Sequence, residues 1–323
     1  MGSYSVSYMK KGRLRISALL GSMIVIVLFW SPTLTATPSM EDKQIAVTID
    51  DLPLNGPNIG IDRLKIMTNQ LLAVFSANQV PVVGFVNESL LYVPGETESR
   101  IALLRSWADG GVELGNHTYS HLGFRNASLN DYEDDFVRGE TVTKGLIKPR
   151  KMRYFRHPFL QMGTTAEIEN SFETFIAARG YRIAPVTVDI LDWMFLAAYE
   201  QARSKGDAAA IKRVTDEYLK YADLKFEHIE KVTDELFHRR ASQILLLHAN
   251  ELNAAGLDAV FKVLKRRGYR FISLEEALKD PIYRNPDRYN GTSDWLGHWA
   301  FSKAMMFTPP APPDFIQKAF ADQ

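Results

Sequence analysis

Cysteine is absent from all 323 residues of the chain. Its absence excludes disulfide bonds, thiolate metal sites, thiol nucleophiles and lipid attachment through cysteine. A metal ion bound by this protein must therefore be held by histidine, aspartate or glutamate side chains.

Acidic residues are missing from the first 40 positions, where four basic residues precede an apolar run at 16–30. This run has 15 residues, whereas a membrane-spanning helix needs about 20. Small residues follow it at Thr35, Ala36 and Thr37. The pattern predicts a signal peptide over 1–36 and a mature protein that is exported, periplasmic or secreted, with no stable membrane span. An uncleaved N-terminal anchor is the alternative.

An excess of positive charge is also missing, because 38 basic residues balance 38 acidic ones. Removing residues 1–36 leaves 34 basic and 38 acidic residues. Such a chain lacks the excess of positive charge that is typical of nucleic-acid-binding proteins, so we expect no nucleic-acid partner. The hydrophobic and aromatic fractions, 46% and 11%, are typical of a globular protein. The sequence leaves the oligomeric state open.

Short apolar runs alternate with amphipathic stretches between residues 44 and 280. We predict strands at 44–49, 81–86, 112–114, 153–156, 181–188, 243–247 and 269–272. Helices are predicted at 61–78, 98–109, 129–146, 165–179 and 254–267. This alternation predicts a parallel sheet of about seven strands in a distorted or incomplete (β/α) barrel. Alternation alone does not decide whether the barrel closes.

Two further segments do not fit the alternation. Residues 195–240 form a charged helical insertion before the last strands, and residues 281–323 form a C-terminal extension. The aromatic residues within 295–301 could stack on sugars, but clustered aromatics more often fill a core, so we expect packing. The proline-rich residues 308–313 are predicted to be extended.

Charged side chains follow five of the predicted strands. They are Asp50 with Asp51, His117, Arg156, Asp189 and His248. Active sites of (β/α) barrels lie at the carboxyl ends of the strands. We therefore expect these residues to meet in one site.

His117 and His121 stand four residues apart, a spacing that puts two imidazoles on one face of a helical turn. The adjacent carboxylates of Asp50 and Asp51 repel each other unless a metal on one neutralises the pair and leaves the other as a base. Each pattern has a structural alternative: surface or capping histidines, and turn-forming aspartates. His248, Asp189 and Arg156 could equally be core residues or ion-pair partners.

The order of these motifs resembles the polysaccharide deacetylases, the NodB-homology domain of carbohydrate esterase family four. The resemblance covers about 44–280, and its five motifs are Thr48 to Asp51, His117 to His121, Arg156 to Phe159, Asp189 to Trp193, and Leu246 to His248. The sequence departs from the family pattern at Ile49, at Leu52-Pro53 and at His157. None of these departures removes a chemical group that the activity needs.

The resemblance implies a role for each motif. Asp51, His117 and His121 would bind one divalent metal, usually zinc. Asp50 would be the general base, tuned by Arg156, and His248 the general acid, oriented and charged by Asp189. The residues expected at the substrate are Trp193 and Leu246, which would wall the acetyl pocket, and Tyr119 or Phe159, near which a backbone N–H would stabilise the oxyanion.

The function implied is removal of acetyl groups from an N-acetylated polysaccharide or oligosaccharide, peptidoglycan or chitin-like. Hydrolysis of O-acetyl-xylan or of small cyclic amides and imides on the same scaffold is the alternative enzyme class. A non-catalytic sugar-binding module is a third, and the complete acid, base and metal sets argue against it.

Overall fold

The computed structural model describes residues 43–54, 59–285 and 293–323. The predicted signal peptide lies outside these residues. The strands are β1 Lys43–Leu52, β2 Val82–Val86, β3 Glu113–Asn116, β4 Tyr154–Phe155, β5 Arg182–Ile183, β6 Val188–Asp189, β7 Gln243–His248 and β8 Tyr269–Ile272. The helices are α1 Ile61–Asn78, α2 Thr97–Asp109, α3 Leu129–Arg138, α4 Thr141–Ile147, α5 Ala166–Ala178, α6 Asp192–Ser204, α7 Ala208–Phe237, α8 Glu251–Arg266, α9 Leu274–Ala277, α10 Trp295–Ser302 and α11 Asp314–Ala321.

The eight strands form one parallel sheet in the order β5-β4-β3-β2-β1-β7-β6, with β8 paired to the first residues of β1. The path ends at β5 on one side and at β6 on the other. The predicted distorted (β/α) barrel is therefore confirmed, and it is incomplete.

The strand predicted at 181–188 is two short strands instead of one. Ala184 donates its N–H to Phe155 of β4, whereas Thr187 donates to Ile244 of β7. The chain thus crosses from one edge of the open sheet to the other around Pro185, a residue that lacks the N–H a continuous ladder needs.

Strand β1 lies at the centre of the sheet, between β2 and β7. From Ile45 to Leu52 every residue is buried, including Thr48, Asp50 and Asp51. Burial on both faces is typical of the central strand of a parallel sheet. Polar side chains in such a strand need partners, and those at its carboxyl end form the site described below.

The insertion and the extension are helical. Helices α6 and α7 occupy the predicted insertion, and α7 buries an apolar face that includes Tyr218, Phe226 and Ile229. In α10, Trp295, Leu296 and Trp299 are buried, as expected from packing rather than sugar stacking. Within the described residues, no helix combines the length and the apolar content needed to cross a membrane.

Candidate active site

The carboxyl end of β1 supplies the two aspartates of the site. The register of the sheet pairs Asp50 with His248 of β7, so residues almost 200 positions apart become neighbours. The pairing with β2 shifts between Ile49 and Leu52, and Asp51 has a φ of 64°. This irregularity turns the Asp51 side chain away from the ladder, as bulges next to active sites do.

Asp51, His117 and His121 bring their ligand atoms together. Asp51 Oδ1 lies 3.4 Å from His121 Nε2 and 3.6 Å from His117 Nε2, and the ligand atoms of all three residues lie within 4.8 Å of one another. Donors bound at about 2 Å to one tetrahedral ion must lie roughly 3–4 Å apart. The spacing of this trio is therefore that of a metal site.

The hydrogen bonds around His117 favour metal binding further. Its Nδ1 lies 2.8 Å from the carbonyl oxygen of Arg156, so Nδ1 carries the proton and Nε2 offers its lone pair toward Asp51. Burial lowers the pKa of His117 to about 3, which keeps the ring neutral. Among the described residues, the buried Oδ1 of Asp50 has no hydrogen-bond partner. A divalent cation beside these oxygens and nitrogens fits this donor set.

The two histidines lie in a loop and not on the predicted helical turn. Thr118 and His121 have φ values of 62° and 58°, and Asn116 Oδ1 accepts a bond from the Thr118 N–H at 2.7 Å. The Asp135 carboxylate accepts from the Ser120 N–H at 2.9 Å. Two histidines four residues apart can therefore reach one ion from a loop, without a helix, when neighbouring side chains fix the loop by hydrogen bonds.

Three residues that support this loop were not predicted. They are Asn116, Asp135 and Gly139, and Gly139 lies so close that a Cβ there would be 2.5 Å from the carbonyl carbon of Thr118. The sequence does carry a signal for Asp135. It is an acidic residue on the buried face of α3, beside Phe136 and one turn from Tyr132.

Arg156 holds Asp50 as predicted. Its guanidinium is buried and donates to Asp50 Oδ2 at 3.4 Å, to Thr48 Oγ1 at 3.0 Å and to the Ala184 carbonyl at 2.7 Å. Burial raises the pKa of Asp50, and the charge of Arg156 works against that rise. Such a carboxylate is desolvated and held in place, as a general base requires.

The expected pairing of His248 with Asp189 is wrong, because Asp192 takes that position. His248 Nδ1 lies 2.8 Å from Asp192 Oδ1, and the His248 N–H donates to Asp192 Oδ2 at 2.8 Å. Asp189 instead accepts from the Leu191 N–H at 2.7 Å and from Trp193 Nε1 at 3.4 Å. Leu191 has a φ of 54°, and this turn points Asp192, the first residue of α6, toward β7.

A buried network fixes Asp192. Asn250 Nδ2 donates to its Oδ2 at 3.0 Å, Asn253 Nδ2 donates to the same oxygen, and Tyr218 of α7 donates to Asn253 Oδ1 at 2.9 Å. Burial works against a charged His248, but the Asp192 carboxylate outweighs it and raises the pKa of His248 to about 10. The imidazole is therefore charged at neutral pH and able to donate a proton.

One cavity of about 930 Å³ is lined by Asp50, Asp51, His117, His121 and His248, and also by Trp193, Leu246 and Phe159. The predicted role of Tyr119 does not hold. Its N–H donates to the Asp135 carbonyl at 3.0 Å, and the Arg138 guanidinium covers its ring at 3.9 Å. Because the Tyr119 N–H already has an acceptor, it cannot serve an oxyanion.

The cavity also has lining residues that were not predicted, from α7 and from the C-terminal extension. They are Tyr221, Lys225, Ser293, Asp294, residues 308–312 and Phe320. The sequence gives no signal for them, because their approach to the site depends on how the extension packs.

Comparison with known proteins agrees with the motifs. Residues 37–173, which include the first three motifs, match the family model described as polysaccharide deacetylase. This confirms the resemblance drawn from the sequence. No protein with curated function matches the chain.

Two solved structures share the fold. One is a mutant of BA3943, described as a CE4 family pseudoenzyme with restored enzymatic activity, with 19% identity, a TM-score of 0.51 and coverage of 74% of this chain and 69% of that chain. The other is wild-type BA3943, a CE4 family pseudoenzyme from Bacillus anthracis, with 17% identity, a TM-score of 0.51 and coverage of 74% and 66%. At these identities the likeness concerns the fold alone.

Proposed function

We propose that this chain, which matches the polysaccharide deacetylase family model over residues 37–173, is an active, metal-dependent hydrolase that removes acetyl groups from an N-acetylated polysaccharide or oligosaccharide, peptidoglycan or chitin-like. One observation carries the proposal. A single cavity joins a trio with metal-ligand spacing, a buried carboxylate with an unpartnered oxygen, and an imidazole whose pKa is raised to about 10.

Asp51, His117 and His121 would hold the ion. One carboxylate and two imidazoles suit zinc, and three protein ligands leave a coordination position open. When bound, such an ion acidifies water and polarises the acetyl carbonyl. The hydrogen bond that His117 Nδ1 donates to the Arg156 carbonyl keeps that ring in the orientation a ligand needs.

Asp50 would accept the proton of the attacking water. Its Oδ2 is held by Arg156, while its buried Oδ1 has no hydrogen-bond partner among the described residues and remains able to accept one. A base needs its target within hydrogen-bond reach, and Asp50 Oδ2 already lies 3.6 Å from His117 Nε2. The base therefore lies beside the ligand trio.

His248 would protonate the leaving amine. An amine anion is a poor leaving group, so cleavage of an N-acetyl bond depends on this proton. Asp192 keeps the imidazole charged and fixes which nitrogen faces the cavity. Leu246 and Trp193, which line the cavity near this side of the sheet, supply apolar surface for the acetyl methyl group.

An acetate-release screen tests the proposal. The purified protein, loaded with zinc, is incubated with peptidoglycan, chitin oligomers, acetylxylan and small amides, beside an Asp50→Asn variant carrying the same ion. We expect release from an N-acetylated sugar by the wild type alone. Binding of sugar without acetate release would identify a non-catalytic module, and release only from acetylxylan or a small amide would support the alternative enzyme class.

A further inference from the structure

A second wall of the cavity is built by residues outside the five motifs. We call it the tail wall, and it consists of Tyr221 and Lys225 on α7 together with Ser293, Asp294, residues 308–312 and Phe320. These residues make up ten of the 23 that line the cavity among the described residues. The tail wall therefore supplies nearly half of the residues that line the cavity.

The tail wall is fixed to the barrel rather than loosely placed over it. Tyr221 donates its hydroxyl to the Pro310 carbonyl at 3.3 Å, and the Arg213 guanidinium covers the Phe315 ring at 4.1 Å. Lys303 Nζ donates to the Leu236 carbonyl at 2.6 Å, and Ile316 of α11 is fully buried. These contacts join the extension to α7 and make it part of the boundary of the cavity.

The tail wall is continuous with the fourth motif. The rings of Phe320 and Trp193 meet at 5.0 Å with an interplanar angle of 74°, and Trp193 Nε1 donates to Asp189 at 3.4 Å. Prolines 309, 310 and 312 extend this surface. Aromatic and proline faces match the apolar C–H faces of a sugar ring, which pack on such surfaces without charge.

The polar groups of the tail wall favour a neutral ligand. Lys225 is only 7% exposed, and its Nζ lies 3.5 Å from Asp294 Oδ2. Asp294 Oδ1 also accepts from the Gly297 N–H at 2.9 Å at the start of α10. The opposite charges cancel and present a donor and an acceptor that suit hydroxyl and amide groups rather than an anion.

On the premise of the proposed function, we infer that the tail wall binds the sugar unit next to the acetylated one and closes the cavity on that side. The enzyme then acts on short oligosaccharides or on chain ends and does not work along the interior of a polymer. The volume of about 930 Å³ falls in the range of pockets that enclose a small ligand, about 300–1,000 Å³.

The test measures kcat/KM for acetate release from N-acetylglucosamine, from its β-1,4 oligomers of increasing length and from soluble chitin polymer. It compares wild type, Phe320→Ala and, as a matched control, Phe301→Ala. Phe301 lies on the same extension, is 64% exposed and does not line the cavity. A Lys225→Met variant tests the polar part of the wall.

We expect the wild type to prefer the dimer and trimer over both the monosaccharide and the polymer. Phe320→Ala should lower kcat/KM for the oligomers by about tenfold, the effect of 1.4 kcal/mol of lost binding, while the monosaccharide value stays within about twofold. Lys225→Met should raise KM for the oligomers with kcat unchanged, and Phe301→Ala should behave as wild type.

A wild type that deacetylates the polymer interior as well as the oligomers would overturn the inference while leaving the proposed function intact. Equal losses on monosaccharide and oligomer in Phe320→Ala would overturn it as well. Absence of acetate release from every sugar would instead reject the proposed function, and the inference with it.

Discussion

Asp192 Oδ1 accepts a hydrogen bond from His248 Nδ1 at 2.8 Å, and Asp192 itself is fully buried. The carboxylate and the imidazole come from the first turn of α6 and the end of β7, so this pairing depends on the start of a helix meeting the end of a strand. Asn250 and Asn253 donate to the second carboxylate oxygen. This arrangement stabilises the charged carboxylate and, through it, the charged imidazole.

Asp192→Asn is expected to shift the alkaline limb of the pH–rate profile to lower pH. His248 must be protonated to act as the acid, and its pKa is raised to about 10 chiefly by Asp192. Removing that negative charge lowers the pKa, so activity is lost at a lower pH. The measurement is kcat against pH. Asp189→Asn is the matched control, because its carboxylate contacts Leu191 and Trp193 instead, and its limb should stay in place. A shifted limb in Asp189→Asn and an unshifted limb in Asp192→Asn would instead support the pairing of His248 with Asp189 that the sequence predicted.

Asp50→Asn and His248→Ala are each expected to lose about 100- to 10,000-fold in turnover on an N-acetyl substrate. Neither residue belongs to the ligand trio, so both variants should retain a full complement of metal. Acetate release measures the loss of turnover, and elemental analysis of the same preparations measures the retained metal. A His248→Ala enzyme with normal turnover on amides would refute the role of the acid. Activity retained on esters alone would agree with it, because a leaving alcohol needs less protonation.

His121→Ala is expected to lose the bound ion. His121 Nε2 lies 3.4 Å from Asp51 Oδ1, and removal of one of three ligands weakens an open tetrahedral site severely. His238→Ala is the matched control, because His238 has a similar φ of 54° but caps α7 away from the cavity. Elemental analysis should give one ion per chain in wild type and in the control. Stoichiometric metal in His121→Ala would contradict the ligand assignment.

Gly139→Ala is expected to destabilise the fold by about 1–3 kcal/mol, the range for overpacking, and to weaken metal binding. The added Cβ would lie 2.5 Å from the Thr118 carbonyl carbon and push the histidine loop. Gly145→Ala is the control, since a Cβ there meets nothing within 4 Å and alanine within α4 should stabilise by about 0.5–1 kcal/mol. Denaturant unfolding and metal titration of both variants test this difference. Equal stability of Gly139→Ala and Gly145→Ala would rule out the close contact between residue 139 and the Thr118 carbonyl carbon.

We propose that the protein is exported after cleavage of residues 1–36. The mature chain is then expected to begin at Thr37 and to be found outside the cytoplasmic membrane. N-terminal sequencing of protein recovered from fractionated cells checks this. An intact N-terminus on cytosolic protein would contradict it, and an intact N-terminus in the membrane fraction would support the uncleaved anchor.

The spacing of apolar residues in the sequence predicted the helices and strands that bury one face. Helix α1 matches its prediction at both ends because its apolar residues recur at helical spacing from Leu64 to Phe75. Strand β8 also matches its prediction, 269–272. The predicted helix at 129–146 is broken at Gly139, where a small residue is needed to contact the histidine loop. That need is set by a tertiary contact, which local spacing does not encode.

The sequence predicted which side chains would form the site better than it predicted the hydrogen bonds and packing contacts around them. Motif order predicted that Asp51, His117 and His121 would meet, and they do. It did not distinguish Asp189 from Asp192, because the left-handed turn at Leu191 decides which carboxylate faces His248. The tail wall was also missed, because the docking of α11 rests on contacts between segments more than 100 residues apart, such as Trp193 with Phe320.

Asp51, His121, Phe159 and Leu191 all have φ values between 54° and 64°, a region that residues other than glycine occupy at a cost of about 1–3 kcal/mol each. Glycine at any of these positions would relieve that strain, and at Asp51 it would also remove the repulsion with Asp50. The backbone geometry that brings the site together therefore carries a conformational cost. The surrounding fold supplies the stability that keeps these residues in backbone conformations they would not adopt by local preference.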